Sequence, residues 1–130
     1  MHEVSLAVKS IDETKFFAAA AALFDHQESF FDENVMDKTR RALYSELVAI
    51  AAESTGLNAA DIASHLELID SSPNCGSTVT LPMKFAAKYH RVRGVHVTPT
   101  VFMNGVEAPD ISSGWSVEQW KDKVDLCLSQ

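Results

Sequence analysis

Apolar residues recur at helical spacing through the first two-thirds of the chain. In residues 2–9, "HEVSLAVK", Val4, Leu6, Ala7 and Val8 share a broad apolar side, which predicts a short helix or the end of a longer one. "SIDETKFF" follows, where Ser10 or Asp12 can cap a second helix and Glu13 falls in its favoured first turn. That helix is predicted to run through "FFAAAAALFDHQESFF". Residues 18–22 are five alanines, all strong helix formers, and Phe16, Phe17, Ala20, Leu23, Phe24, Phe30 and Phe31 follow helical spacing. A third helix is predicted from near Asn34 or Asp37, with Val35, Leu43, Leu47, Val48 and Ile50 as its stripe and Gly56 just past its end. Asn58 then caps "AADIASHLELI", with Asp61 placed as in a capping box. After a Ser/Pro/Asn/Gly loop at residues 70–77, a helix over 78–93 presents Val79, Met83, Ala86, Ala87 and His90 on one side. Pro82 is tolerable only in that helix's first turn, and Gly94 ends it.

The periodicity changes at "GVHVTPTVFMNG", residues 94–105. "PTVFM" is β-branched and aromatic, and Asn104-Gly105 is the strongest short hairpin signal. "VEAP" is the return strand, kept short by Pro109. Pro99 is awkward there, because a proline normally excludes a central strand. "SVEQ" at residues 116–119 is a capping box opening a last helix, which carries Val117, Trp120, Val124, Cys127 and Leu128 on one face. A lone two-stranded hairpin is marginal in water, and no other convincing strand is present.

Composition narrows the function classes. The chain has 130 residues, 46% hydrophobic and 22% charged, enough for one domain with a core. Its net charge is −7, and the basic residues are dispersed apart from a small cluster at Lys84, Lys88, Arg91 and Arg93. That argues against a nucleic-acid or anionic-membrane surface. No apolar run reaches the length of a membrane span, and no secretory signal is visible, so the expected compartment is the cytoplasm. Two distant cysteines, Cys75 and Cys127, form neither a disulfide framework nor a zinc site, and none of the five histidines is in a metal-binding pattern. No cofactor or metal is expected.

The order helix, Gly94, "VHVTPTVFMNGV", then a capped helix resembles the second half of a thioredoxin-like fold, in its DsbA-like branch. The residues that carry the resemblance are Gly94, Val95, Thr98, Pro99, Thr100, Phe102, Asn104, Gly105 and Val106. "KFFAAAAALFDHQESFFDENV" reads like the helical insertion of eukaryotic, fungal-looking members. The resemblance implies an α/β, helix-rich, thioredoxin-like single domain in incomplete form. Residues 1–76 would be mainly helical insertion. Residues 77–130 would be a helix, a cis-proline strand, the hairpin and the C-terminal helix. It also implies that Pro99 is a cis-proline that keeps the preceding backbone open for a thiol or peptide substrate. The chain lacks the family's β-α-β unit and its Cys-x-x-Cys, and so reads as the latter part of the fold, a truncated product or a fragment.

The candidate substrate-binding residues are therefore His96, Val97, Thr98 and Pro99. Against them stands a plainer reading, that Pro99 is a fold-determining turn and His96 an ordinary strand-entry residue. Cys75 is either a reactive thiol, if exposed near positive potential, or an incidental loop cysteine. Cys127 reads as a small buried hydrophobe. Three functions follow as expectations. One is a relative of thiol–disulfide oxidoreductases that is redox-inactive alone. Another is a binding or assembly protein that covers its missing sheet by homodimerising or by taking a protein partner. The last is a cofactor-free small-molecule enzyme or binder using a pocket of the helical part, with His90, His96 and Thr98 as polar candidates.

Overall fold

Val4, Ala7 and Val8 stand at i, i+3 and i+4, so one face of α1 (His2–Ile11) is buried as its spacing predicts. The computed structural model describes residues 1–69 and 76–129 of the chain. Asp12 stops α1 in an extended conformation, and its carboxylate accepts from the Thr14 N–H at 2.9 Å. It is thus the cap that the sequence offered, though it opens a 3-10 turn (Glu13–Lys15) before α2 (Phe16–Asp25) begins. The helix predicted to run on to Phe31 breaks at Asp25, and a second 3-10 turn spans Gln27–Phe30. The alanines end there, and "DHQES" lacks the apolar spacing that would hold another turn against the core.

The third helix also starts later than predicted. A one-turn α3 (Asp32–Val35) stands apart, and α4 (Arg40–Thr55) begins at Thr39, whose hydroxyl accepts from the Ala42 N–H at 3.2 Å. Asn34 is as good a cap by residue type, but its side-chain amide donates to the Glu28 carbonyl at 2.7 Å, and the cap of α4 falls to Thr39. Gly56, at φ 72°, ends α4 in the left-handed conformation, its N–H bonded to the Ala52 carbonyl. Asn58 caps α5 (Ala59–Ser64) through the Ala60 N–H at 2.8 Å. Because that bond goes to Ala60, the capping-box arrangement with Asp61 does not form, and the helix stops at Ser64 short of the predicted Ile69.

These helices share a core. Val4, Ala7 and Val8 of α1, Ala19 and Leu23 of α2, Leu47, Val48 and Ala51 of α4, and Ile62 of α5 are buried together with Leu66 and Val79. The alanines at 19 and 51 let the helices approach closely. The other faces of α2 are open: Phe17 and Phe24 are exposed, as is Phe31 beyond the helix, and of the predicted phenylalanine pattern only Phe30 packs, half-buried, against the core.

The chain divides into two compact units, Met1–Lys88 and Tyr89–Gln130, with the boundary inside α6 (Thr80–Val92). Pro82 lies in the first turn of α6, as expected. The predicted packing face holds only at its start: Val79, just before α6, is buried in the core and Met83 is half-buried, but Ala86, Ala87 and His90 are exposed, and α6 itself buries no residue among those described.

In the second unit, β1 (Phe102–Met103) and β2 (Val106–Glu107) pair antiparallel, with Phe102 opposite Glu107 and Met103 opposite Val106. The turn is the predicted Asn104-Gly105, both at positive φ (51° and 84°), as a two-residue hairpin with right-handed strand twist requires. The strands are shorter than "PTVFM" and "VEAP", because Pro99 and Pro109 donate no N–H to a ladder. α7 (Val117–Leu128) opens on the predicted capping box. Gln119 N–H donates to Ser116 Oγ at 3.3 Å, and Ser116 N–H donates to Gln119 Oε1 at 2.8 Å. Its apolar stripe is uncovered: Val117, Val124 and Leu128 are exposed, and Cys127 is half-buried rather than buried. Ile111 is the buried hydrophobic residue of this unit among those described. The described residues are thus mostly helical with one two-stranded antiparallel sheet.

Candidate functional site

The candidate residues His96, Val97, Thr98 and Pro99 form one bend between α6 and β1, and all four are exposed. Two anchors set this bend. On its N-terminal side the chain folds back on the last turn of α6. Gly94 N–H donates to the Arg91 carbonyl and Val95 N–H to the His90 carbonyl, each at 3.0 Å. On its C-terminal side Ala108 N–H donates to the Val101 carbonyl at 2.9 Å, one pair beyond the hairpin. The Thr98–Pro99 peptide is cis, the isomer that the resemblance implies. Thr100 Oγ1 donates to the Val97 carbonyl and closes the bend from within.

Between the anchors the backbone is open. Among the described residues, the N–H groups of His96, Val97, Thr98 and Thr100 have no hydrogen-bond acceptor. Val97 is 70% exposed although it is β-branched and apolar. Exposed main-chain donors beside an exposed apolar side chain are what an extended peptide pairs with when it adds as a strand.

Arg93 stiffens the approach to the bend, and the sequence reading missed it. Its guanidinium donates to Tyr89 Oη at 2.6 Å and lies 4.4 Å from the centre of the Phe102 ring. It therefore links the end of α6 to β1. The i, i+4 spacing of Tyr89 and Arg93 was visible in the sequence; the contact with Phe102 required the fold.

Cys75 lies outside the described residues, as does any pairing of it with Cys127. His90 is exposed near the end of α6. His65 is bound structurally, its Nδ1 lying 3.0 Å from Thr78 Oγ1. No group of three or more potential metal ligands occurs among the described residues. No described helix is long and apolar enough to cross a membrane.

The first unit carries a separate open depression of about 950 Å³ between α4 and α5, floored by Val48, Ala63 and Leu66 and rimmed by Arg40, Arg41 and Glu67. His90, His96 and Thr98 take no part in it. Part of its polar lining, Arg40 and Tyr44, is engaged internally. Tyr44 Oη donates to Glu3 Oε2 and accepts from Arg40 Nε at 3.0 Å, while Arg40 Nη2 lies 3.6 Å from Glu3 Oε1. Burial, and then the hydrogen bond to Glu3, hold the Tyr44 hydroxyl above the usual phenol range, with Arg40 pulling the other way. Arg40 is raised chiefly by its bond to Tyr44. This cluster ties α1 to α4. Arg40 and Tyr44 are one helical turn apart, but Glu3 lies 41 residues from Tyr44, beyond any local pattern.

Neither a protein-family model, nor a curated protein, nor a solved structure matches the chain.

Proposed function

We propose that this chain is a non-catalytic binding protein of thioredoxin-like, DsbA-related type, and that residues 96–100 dock an extended peptide segment through its main chain. The single observation that carries this reading is the open backbone at His96, Val97, Thr98 and Thr100, held between two hydrogen-bonded anchors. The order of elements around it supports the family: helix, bend, Asn-Gly hairpin, capped helix. Dithiol exchange needs an attacking thiolate and a resolving partner thiol. The chain has no Cys-x-x-Cys to supply them, so it does not turn over disulfides by that route. The test of docking is calorimetric titration with a ten-residue Val/Thr peptide and with the same peptide N-methylated at alternate residues. Binding of the first and loss with the second support main-chain docking. Equal binding of both refutes it. An insulin-reduction assay with clear turnover refutes the redox-inactive half of the reading.

A second reading, assembly with another copy of the chain, is favoured by one observation. The α7 stripe of Val117, Val124 and Leu128 is open, in a unit whose described residues bury little besides Ile111. Surface of this kind is commonly covered in an assembly. Light scattering at micromolar concentration tests it, and a stable dilute monomer counts against it.

A further inference from the structure

The docking bend lies in the longest stretch of the chain without acids. Residues 71–106 contain Lys84, Lys88, Arg91 and Arg93 and no Asp or Glu, whereas the rest of the chain holds all 18 acids against seven bases. In a protein of net charge −7 this is a marked reversal of sign. None of the four cations forms an ion pair among the described residues, while the ion pairs that do form take up Lys9, Lys38, Arg40 and Lys123.

The geometry ties part of that charge to the bend. Arg91 and Arg93 are both exposed in the stretch that the bend folds back upon, since Gly94 N–H bonds to the Arg91 carbonyl itself. Arg93 is fixed over Phe102, so one guanidinium is held against β1, three residues before the bend begins. Two full positive charges more than offset the partial negative charge at the C-terminus of α6. The acid Asp110 is already taken by Lys123 at 2.8 Å. Opposite charge placed beside a main-chain docking edge selects among peptides that would otherwise pair equally well.

We propose that the segment received at residues 96–100 is an acidic extended peptide, with carboxylates that lie against Arg91 and Arg93. This rests on the docking reading given above, and adds to it the chemical class of the ligand. The occupant is a polypeptide rather than a nucleic acid, because the exposed groups are main-chain N–H donors and a valine, and two guanidinium groups are too few for a phosphate-tracking surface.

The test is fluorescence anisotropy on the full chain with three labelled ten-residue peptides, alternating Val with Glu, with Gln or with Lys. At low salt the Glu peptide is expected to bind about tenfold more tightly than the Gln peptide, and the Lys peptide more weakly than either. The preference should shrink toward unity at about 0.5 M salt, where the screening length is only a few Å. Arg91→Gln should lower the Glu-over-Gln ratio about threefold, and Arg91→Lys should largely restore it. Equal binding of the Glu and Gln peptides overturns the charge inference while leaving docking in place. Absence of binding by all three overturns the docking reading beneath it. A single-stranded oligonucleotide that competes as strongly as the Glu peptide overturns the choice of a peptide ligand.

Discussion

The orientation of α2 decides which apolar surface is core and which is open, and a pair of substitutions on that one helix tests it. Leu23 is 1% exposed, packed among α1, α4 and α5 residues. Leu23→Ala removes three buried carbons. At about 0.8 kcal/mol each they account for about 2.4 kcal/mol, and the cavity left behind brings the loss to about 3 kcal/mol. Phe17 is 81% exposed on the same helix. About 40 Å² of a ~200 Å² side chain is therefore covered, worth at most about 1 kcal/mol at 25 cal/mol/Å². Alanine's better helix propensity offsets part of either loss. For a unit of this size 1 kcal/mol moves the melting temperature by about 4–8 °C. Thermal unfolding followed by circular dichroism at 222 nm should thus show a drop of about 12–24 °C for Leu23→Ala and of no more than about 4–8 °C for Phe17→Ala. Equal losses for the two would refute the packing of α2. So would a concentration-dependent loss for Phe17→Ala, which would mean that this face is covered in an assembly.

Trp115 and Trp120 pack edge-to-face in the second unit, 5.8 Å between ring centres, so their fluorescence reports on that unit separately. Gly105→Ala forces a Cβ into φ 84° and should cost about 1 kcal/mol in that signal; an unchanged melt would contradict the hairpin geometry. Ser116→Ala removes the capping box of α7 and should cost about 1 kcal/mol, with Ser116→Thr recovering most of it. Tyr44 has its pKa raised by burial and by Glu3, so its contribution is fully present below the ordinary phenol pKa of about 10 and is lost as pH rises through the raised value. Absorbance at 295 nm in a Tyr89→Phe background should show it ionising later than in the unfolded chain. Tyr44→Phe should cost about 1 kcal/mol at neutral pH.

Local signals in the sequence carried far. The Asn-Gly turn, the Ser116–Gln119 capping box, the Gly56 stop, the Asn58 cap and the first-turn Pro82 each depend on residues within a few positions, and each stands where the pattern put it. Packing faces were less legible, because helical spacing shows that a stripe exists but not what covers it. Phe17, Phe24 and the α7 stripe follow the same periodicity as Leu23 and Ala19, yet only the latter two meet another helix. Boundaries shifted where several caps were on offer: α4 starts after Thr39, whose hydroxyl reaches the Ala42 N–H, and not near Asn34 or Asp37. At the candidate site, the residues at 96–99 were readable from "VHVTPT". The support from Arg93 through Phe102 was not, since it joins two elements across the bend.

On the docking proposal, a peptide backbone pairs with the open bend before the hairpin. Amide chemical-shift mapping of the isotopically labelled chain during titration with the Val/Glu peptide tests it most directly. The largest shifts are expected on the amides of His96, Val97, Thr98 and Thr100, with smaller ones on Val95 and Val101. Shifts centred on the α4–α5 depression, or on the exposed stripe of α7 with the bend unmoved, would contradict it.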